Sequence, residues 1–283
     1  MKPPAFTYHR PASLAEALTV LAEVGADGKV LAGGQSLVPV LNMRLAAPGH
    51  LVDINRLPDL AYVSSDGDAV RVGALARHAT VERSDEALPL LREATANVAH
   101  AAIRNRGTTV GSLAHADPAA ELPAVLTLLS GSVVVARAGA SRTVPAAEFF
   151  VGPLESALRP GELALEAVFP MPPAGSGTAW LEVSRRRGDY AVCGVGVLVT
   201  LSPDRRVTAA RAAYVSVGPT PVAVDLTDAV GGQPADAADW TTAGALAAGR
   251  VRPEDDIHAT AAYRRHLVAV LTARACRTAV SRA

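Results

Sequence analysis

Two glycine-bearing turns constrain this chain more than any other feature: Ala32-Gly33-Gly34-Gln35-Ser36, and Arg106-Gly107-Thr108-Thr109-Val110-Gly111-Ser112. The second runs directly into Leu113-Ala114-His115-Ala116-Asp117-Pro118-Ala119-Ala120-Glu121-Leu122-Pro123. Glycine permits close backbone approach and left-handed conformations, so each turn can aim main-chain N–H groups and hydroxyls at an anion. Two such turns on one chain suit a large diphosphate ligand. Neither has the G-x-G-x-x-G pattern of a Rossmann unit or the Gly-Lys-Ser/Thr ending of a phosphate loop, so a nicotinamide or nucleoside triphosphate site has no motif behind it.

Local signals place both turns between regular elements. Ser13-Leu14-Ala15-Glu16 has capping-box spacing, and Leu14, Ala17, Leu18 and Leu21 continue a helical stripe to Gly25. A strand over 29–32 delivers the first turn, and 37–44 reads as a short helix. Leu51-Val52-Asp53-Ile54 and Ala69-Val70-Arg71-Val72-Gly73 read as strands. One helix is expected over 86–104, from the stripe Leu88, Leu91, Ala94, Val98, Ala101 and Ala102, with the second turn following directly. Another helix is expected over 118–129, and strands over 133–135 and 163–169. The proline- and glycine-rich stretch Pro170 to Gly177 reads as a linker. Beyond it, strands over 179–185, 191–201, 207–217 and 222–224 precede helices near 240–249 and 258–281.

Composition narrows function by exclusion. Twenty-seven Lys and Arg balance 27 Asp and Glu, which leaves no electrostatic footprint for nucleic acid or an acidic membrane. The nearly uncharged run from Tyr190 to Ser202 is far short of the roughly 20 residues a membrane-crossing helix needs. Met1-Lys2-Pro3-Pro4 does not open a signal peptide, and a cytoplasmic location is expected. Cys193 and Cys276 are far apart and belong to no C-x-x-C pair, so no zinc or iron–sulfur ligand set is expected. His115 and Asp117, lacking a third ligand, read as loop hydrogen-bonding groups rather than a metal site. Ser36, Ser112 and Ser184 lack the G-x-S-x-G context of a hydrolase nucleophile.

In order and spacing, several segments together resemble the FAD-binding subunit of the molybdenum hydroxylases, the family of carbon monoxide dehydrogenase medium subunits and the central part of xanthine dehydrogenase. They are Pro3 to Tyr8, Ala32 to Ser36, Leu51 to Asn55, Arg104 to Pro123, Phe149-Phe150, Pro160-Gly161-Glu162 and Arg185 to Ala191. The resemblance implies an α+β protein: a two-lobed FAD-binding domain of the vanillyl-alcohol-oxidase (PCMH) type over 1–173, with lobes about 1–55 and 56–173. A smaller C-terminal α/β domain over 178–283, a sheet backed by helices, would follow. It further implies that Lys29, Leu31, Ala32, Gly33, Gly34, Gln35 and Ser36 hold the FAD diphosphate, with Thr108, Gly111, Ser112, His115 and Asp117 in a second loop. Glu121 would meet sugar hydroxyls, and Tyr190 would stand near the flavin ring.

Three positions depart from the family pattern. Val110 stands where a second glycine is usual, Ala164 where a leucine often covers the flavin, and Glu182 where a lysine is common. A carboxylate at Glu182 would disfavour an anionic reduced flavin by Coulomb repulsion. The function implied is an FAD-dependent electron-transfer subunit, partnered by a molybdopterin-binding large subunit and a [2Fe–2S] small subunit that take on the chemistry this chain has no ligands for. Two alternatives stand beside it. One is a stand-alone flavoenzyme, with Tyr190 and Glu182 as its candidate catalytic groups. The other is an FAD-free scaffold of the same fold, for which Val110 is the main argument.

Overall fold

The computed structural model describes residues 2–283. The first lobe alternates strands and helices: β1 (Thr7–His9), α1 (Leu14–Val24), β2 (Gly28–Leu31), α2 (Leu37–Asn42) and β3 (His50–Asp53). Its sheet has the order β1-β3-β2 and both pairings are parallel, as expected when a helix returns the chain between strands. The Ser13 hydroxyl accepts from Glu16 N, and Glu16 reaches back to accept from Ala12 N, so both ends of the capping pair are used. Gly25 ends the helix with a positive φ of 53°.

The second lobe is built on a five-stranded antiparallel sheet, β4 (Val63–Ser65), β5 (Ala69–Gly73), β6 (Ser132–Arg137), β7 (Ala140–Pro145) and β10 (Leu163–Pro170). The order is β4-β5-β10-β6-β7, so the last strand in sequence is the central one and ties the lobe's ends together. Around it lie α3 (His78–Arg83), α4 (Pro89–Asn97), α5 (Ala101–Arg104), α6 (Thr109–His115), α7 (Glu121–Leu128) and α8 (Ala146–Phe149), and the hairpin β8 (Phe150–Gly152)–β9 (Glu155–Ser156).

The single helix expected over 86–104 is two. It breaks after Asn97 and resumes at Ala101, with Ala99 at φ 44° between them. Tertiary contacts stabilise the break. Arg104 donates to the carbonyls of Val98 and Ala99 while ion-paired to Glu82, and Gly188 from the C-terminal part of the chain packs on the His100 ring. The helix expected from residue 118 starts at Glu121, because Asp117 holds the preceding residues in a turn: its carboxylate accepts from Ala119 N and its carbonyl from Ala120 N.

The remaining chain is an antiparallel meander, β11 (Ser176–Ser184), β12 (Ala191–Leu201), β13 (Val207–Val215) and β14 (Val222–Asp225), followed by α9 (Thr227–Val230), α10 (Trp240–Arg250) and α11 (Ala261–Val280). The two-residue period of β12 divides two cores. Cys193, Val195, Val197 and Val199 pack with Trp240, Leu267, Val268 and Leu271 under α10 and α11. On the opposite face Trp180, Ala213 and Val215 join the core of the two lobes, with Leu122, Val125 and Leu128 of α7. Gly194 and Gly196 leave room there for the Trp180 indole. Among the described residues, no helix is long and apolar enough to cross a membrane.

Candidate functional site

The two glycine turns meet. A Cβ on Gly33 would lie 2.4 Å from the Arg106 carbonyl oxygen and 2.7 Å from Gly107 Cα, so only glycine permits the observed approach. Gly34 has φ +71°, the left-handed conformation that carries the chain from β2 into α2. The Gln35 side-chain amide donates to Gly33 O at 2.9 Å and stiffens the turn. On the other side, Gly107 lies against the His78 ring, while His78 N donates to Gly107 O and Thr109 N to Ala76 O. Thr108 caps α6 by accepting from Gly111 N at 3.1 Å.

A cleft of about 410 Å³ opens at this meeting point. Gly33, Gly34, Gln35 and Arg106 line it together with the polar residues Asp53 and Asn55, and Leu31, Val38, Pro39 and Ile103 supply apolar walls. This combination of a cation, main-chain donors, an acidic acceptor and apolar flanks fits a nucleotide with its phosphates. A more open depression of about 590 Å³ lies beyond Arg77, lined with Ala79, Thr80, Arg83, Ser84 and Asn105. None of the turn glycines reaches it, so the smaller cleft is the one with binding chemistry.

Of the residues singled out in the sequence, Leu31, Ala32, Gly33, Gly34 and Gln35 line this cleft. Ser36 stands just beyond, at the head of α2, where its hydroxyl makes no capping hydrogen bond. Lys29 is exposed on β2 and does not line the cleft. Arg106, the first residue of the second turn, lines it, and so do Asp53, Asn55 and Ile103, which had not been singled out as ligand-facing. The signal available for two of them was the Leu51 to Asn55 segment, whose last residues project from the end of a strand beside the first turn.

Thr108, Gly111, Ser112 and His115 lie on α6 or at its cap, and lead to a second group of residues outside the cleft. Glu121, 7% exposed, heads α7. Burial, and next the nearby Glu182, push its carboxyl up to about 8. Burial also raises Glu182, opposed by the Trp180 indole N–H, which donates to its carboxylate at 3.0 Å. Tyr190 is 68% exposed, and partial desolvation followed by the charges of Asp117 and Glu121 raises its phenol. Asp117, Glu121, Glu182 and Tyr190 thus share one electrostatic neighbourhood, tied to β13 by the hydrogen bond from Ser216 N to Pro118 O.

The departures take definite places. Val110 is 2% exposed within the core of the lobes, so its side chain points away from the turn's open side and the principal argument for an FAD-free scaffold falls away. Ala164 is buried in the same core, where β10 shifts register against β6 between Ala164 and Glu166. Glu182 is held nearer neutrality than an exposed carboxylate, which weakens the repulsion expected of it. Among the described residues no group of three His, Cys, Asp or Glu side chains is arranged to hold a metal ion.

A small parallel lobe and a larger antiparallel one that meet at a glycine-lined cleft, with the carboxyl of Glu121 buried at the head of α7, have the architecture of a two-lobed nucleotide-binding protein. Residues 4–172 match the family described as the FAD binding domain in molybdopterin dehydrogenase, and residues 178–279 the CO dehydrogenase flavoprotein C-terminal domain. The chain belongs to this family of FAD-binding molybdopterin dehydrogenase subunits, and its cofactor is FAD. It is 40% identical over 287 residues to the 6-hydroxypseudooxynicotine dehydrogenase complex subunit alpha of Paenarthrobacter nicotinovorans, covering 100% of this chain and 97% of that one. Caffeine dehydrogenase subunit beta from a Pseudomonas species is 44% identical over 226 residues, 78% of this chain and 76% of the relative. Among solved structures, the reconstituted CO dehydrogenase from Oligotropha carboxidovorans superposes with a TM-score of 0.93 at 34% identity, over all of both chains.

Proposed function

We propose that this chain is the FAD-carrying electron-transfer subunit of a heteromeric molybdenum hydroxylase, assembled with a molybdopterin-binding large subunit and a [2Fe–2S] small subunit. The observation that carries the reading is the contact of Gly33 with Arg106 and Gly107, which makes one cleft from two turns far apart in sequence. FAD, when bound, supplies the redox chemistry, for which protein side chains have no equivalent. The chain's own residues bind and orient it. The amides of Gly33, Gly34 and Gln35 and the hydroxyl of Ser36 would hold the diphosphate, with Thr108, Gly111 and Ser112 as the second loop. His115, Asp117 and Glu121 serve the sugar and linker hydroxyls. Ala164, Glu182 and Tyr190 would serve the flavin end of the cofactor, Ala164 from the core beneath it and Tyr190, exposed, as a gate. Lys29 contributes from β2 as a peripheral cation. No side chain acts as acid or base on an organic substrate.

The proposed division into units 1–173, with lobes about 1–55 and 56–173, and 178–283 is supported by the separate apolar core under α10 and α11. The proposed compartment is the cytoplasm, in keeping with the buried free thiols of Cys193 and Cys276. The test is the visible absorption spectrum of the purified full chain before and after incubation with FAD, together with its co-purification with the other two subunits. About one FAD per chain and a stable ternary assembly are expected. A colourless chain that takes up no FAD would overturn the cofactor site, and full activity of the chain alone on an organic substrate would overturn the subunit role.

A further inference from the structure

We propose that Arg77 and Asn55 form a clamp that fixes the separation of the two glycine turns, and that they are positioning residues for the cofactor. The inference rests on the FAD reading above; Arg77 does not line the cleft, and Asn55, which does, spends its amide and its Oδ1 on partners within the protein. Asn55 extends from the end of β3. Its side-chain amide donates to Ala32 O at 2.9 Å, at the start of the first turn, and to Asp53 Oδ1 at 2.5 Å. Its own Oδ1 accepts from Arg77 Nη2 at 2.6 Å. The other arm of the same guanidinium, Nη1, donates to Arg106 O at 2.7 Å. Arg106 O is also the atom against which Gly33 packs. A planar fork therefore ties a carbonyl of the second turn to the residue holding a carbonyl of the first, at the point where the turns touch.

The root of the clamp moves with the second turn. Residues 76–78 pair with 107–109 through His78 N to Gly107 O, Thr109 N to Ala76 O and the backbone bridge between Arg77 and Thr108. Removing the Arg77 guanidinium leaves that pairing intact and breaks the polar link toward the parallel lobe. The consequence is a change in the spacing of the cofactor-facing amides rather than collapse of either lobe. A donor array displaced by a fraction of an ångström loses affinity out of proportion to the protein stability it costs.

The experiment measures FAD affinity of the full chain, stripped of flavin, for the wild type, Arg77→Lys, Arg77→Met, Asn55→Leu and the Met/Leu double variant, with urea unfolding of each apoprotein. Each single substitution is expected to weaken FAD by about 10- to 100-fold, as charge-assisted hydrogen bonds of this kind warrant. The double variant is expected to bind no worse than the weaker single, because either change breaks the same link. The urea midpoint of Arg77→Lys, which keeps the charge without the fork, should stay near the wild-type value while its FAD affinity falls. Wild type that binds FAD beside single variants within about twofold of it would overturn the clamp alone. Losses that multiply in the double variant would overturn it too, since independent local damage behaves that way. If a Met or Leu variant fails to fold, Arg77→Lys decides. Wild type that binds no FAD would overturn the underlying reading and the clamp with it.

Discussion

Replacing Glu121 with glutamine isolates the titration of one buried carboxyl and gives a quantitative test of the site's electrostatics. Burial, and then Glu182, raise the folded-state carboxyl from its ordinary 4.5 to about 8. Between those values the folded chain keeps a proton that the unfolded chain releases, so stability is greatest below pH 4.5 and falls as pH rises through 8. His78 runs the other way. Burial, and then the Arg104 charge, lower it from 6.5 to about 4, so its contribution is fully present above 6.5 and is lost as pH falls through 4. From pH 4.5 to 6.5 the two slopes oppose each other; from 6.5 to 8 the Glu121 slope is left without that opposition. At about 1.4 kcal/mol per pH unit, that interval amounts to about 2 kcal/mol. The assay is urea unfolding of the flavin-free chain from pH 6.5 to 8, followed by the fluorescence of the buried Trp180 and Trp240. Wild type should lose about 2 kcal/mol across the range and Glu121→Gln markedly less, so the variant gains on the wild type toward pH 8. Parallel stability curves for the two proteins would refute the reasoning, because they would mean that Glu121 is already ionised at pH 6.5 in the fold.

Two further substitutions test the packing. Gly33→Ala places a Cβ 2.4 Å from Arg106 O, a contact relieved only by parting the turns, so FAD retention after gel filtration should be lost while the far-ultraviolet circular dichroism is kept. Arg264 is 5% exposed and donates to Val192 O, Glu254 O and Ala259 O as well as to Asp256, whose carboxyl it holds at about 2. Arg264→Met should cost about 3 kcal/mol, read as a lower urea midpoint at neutral pH, and a midpoint within error of the wild type would contradict the role of this hub.

Features set within a few residues were legible in the chain itself. The Ser13–Glu16 pair starts α1 and Gly25 ends it, and Gly33-Gly34 makes a tight turn between a strand and a helix, because capping and positive φ are satisfied by neighbours along the chain. The order of the longer segments added the family, and with it the two-lobed fold and FAD. Contacts between distant segments decided the rest. The expected 86–104 helix breaks at Val98–His100, where Arg104 donates to the carbonyls of Val98 and Ala99 in place of helical hydrogen bonds and Gly188 packs on the His100 ring. Helical periodicity carries no information about such partners. Val110 looked like an obstruction when judged by residue type and is harmless once its side chain is seen in the core. The shifted acidities of Glu121 and His78 arise from burial and from charges on other elements, and Arg77 and Asn55 join the turns through space. Local conformation is a property of a stretch of chain; the dielectric around a carboxyl and the distance between two turns belong to the packed fold, and only the tertiary structure decides them.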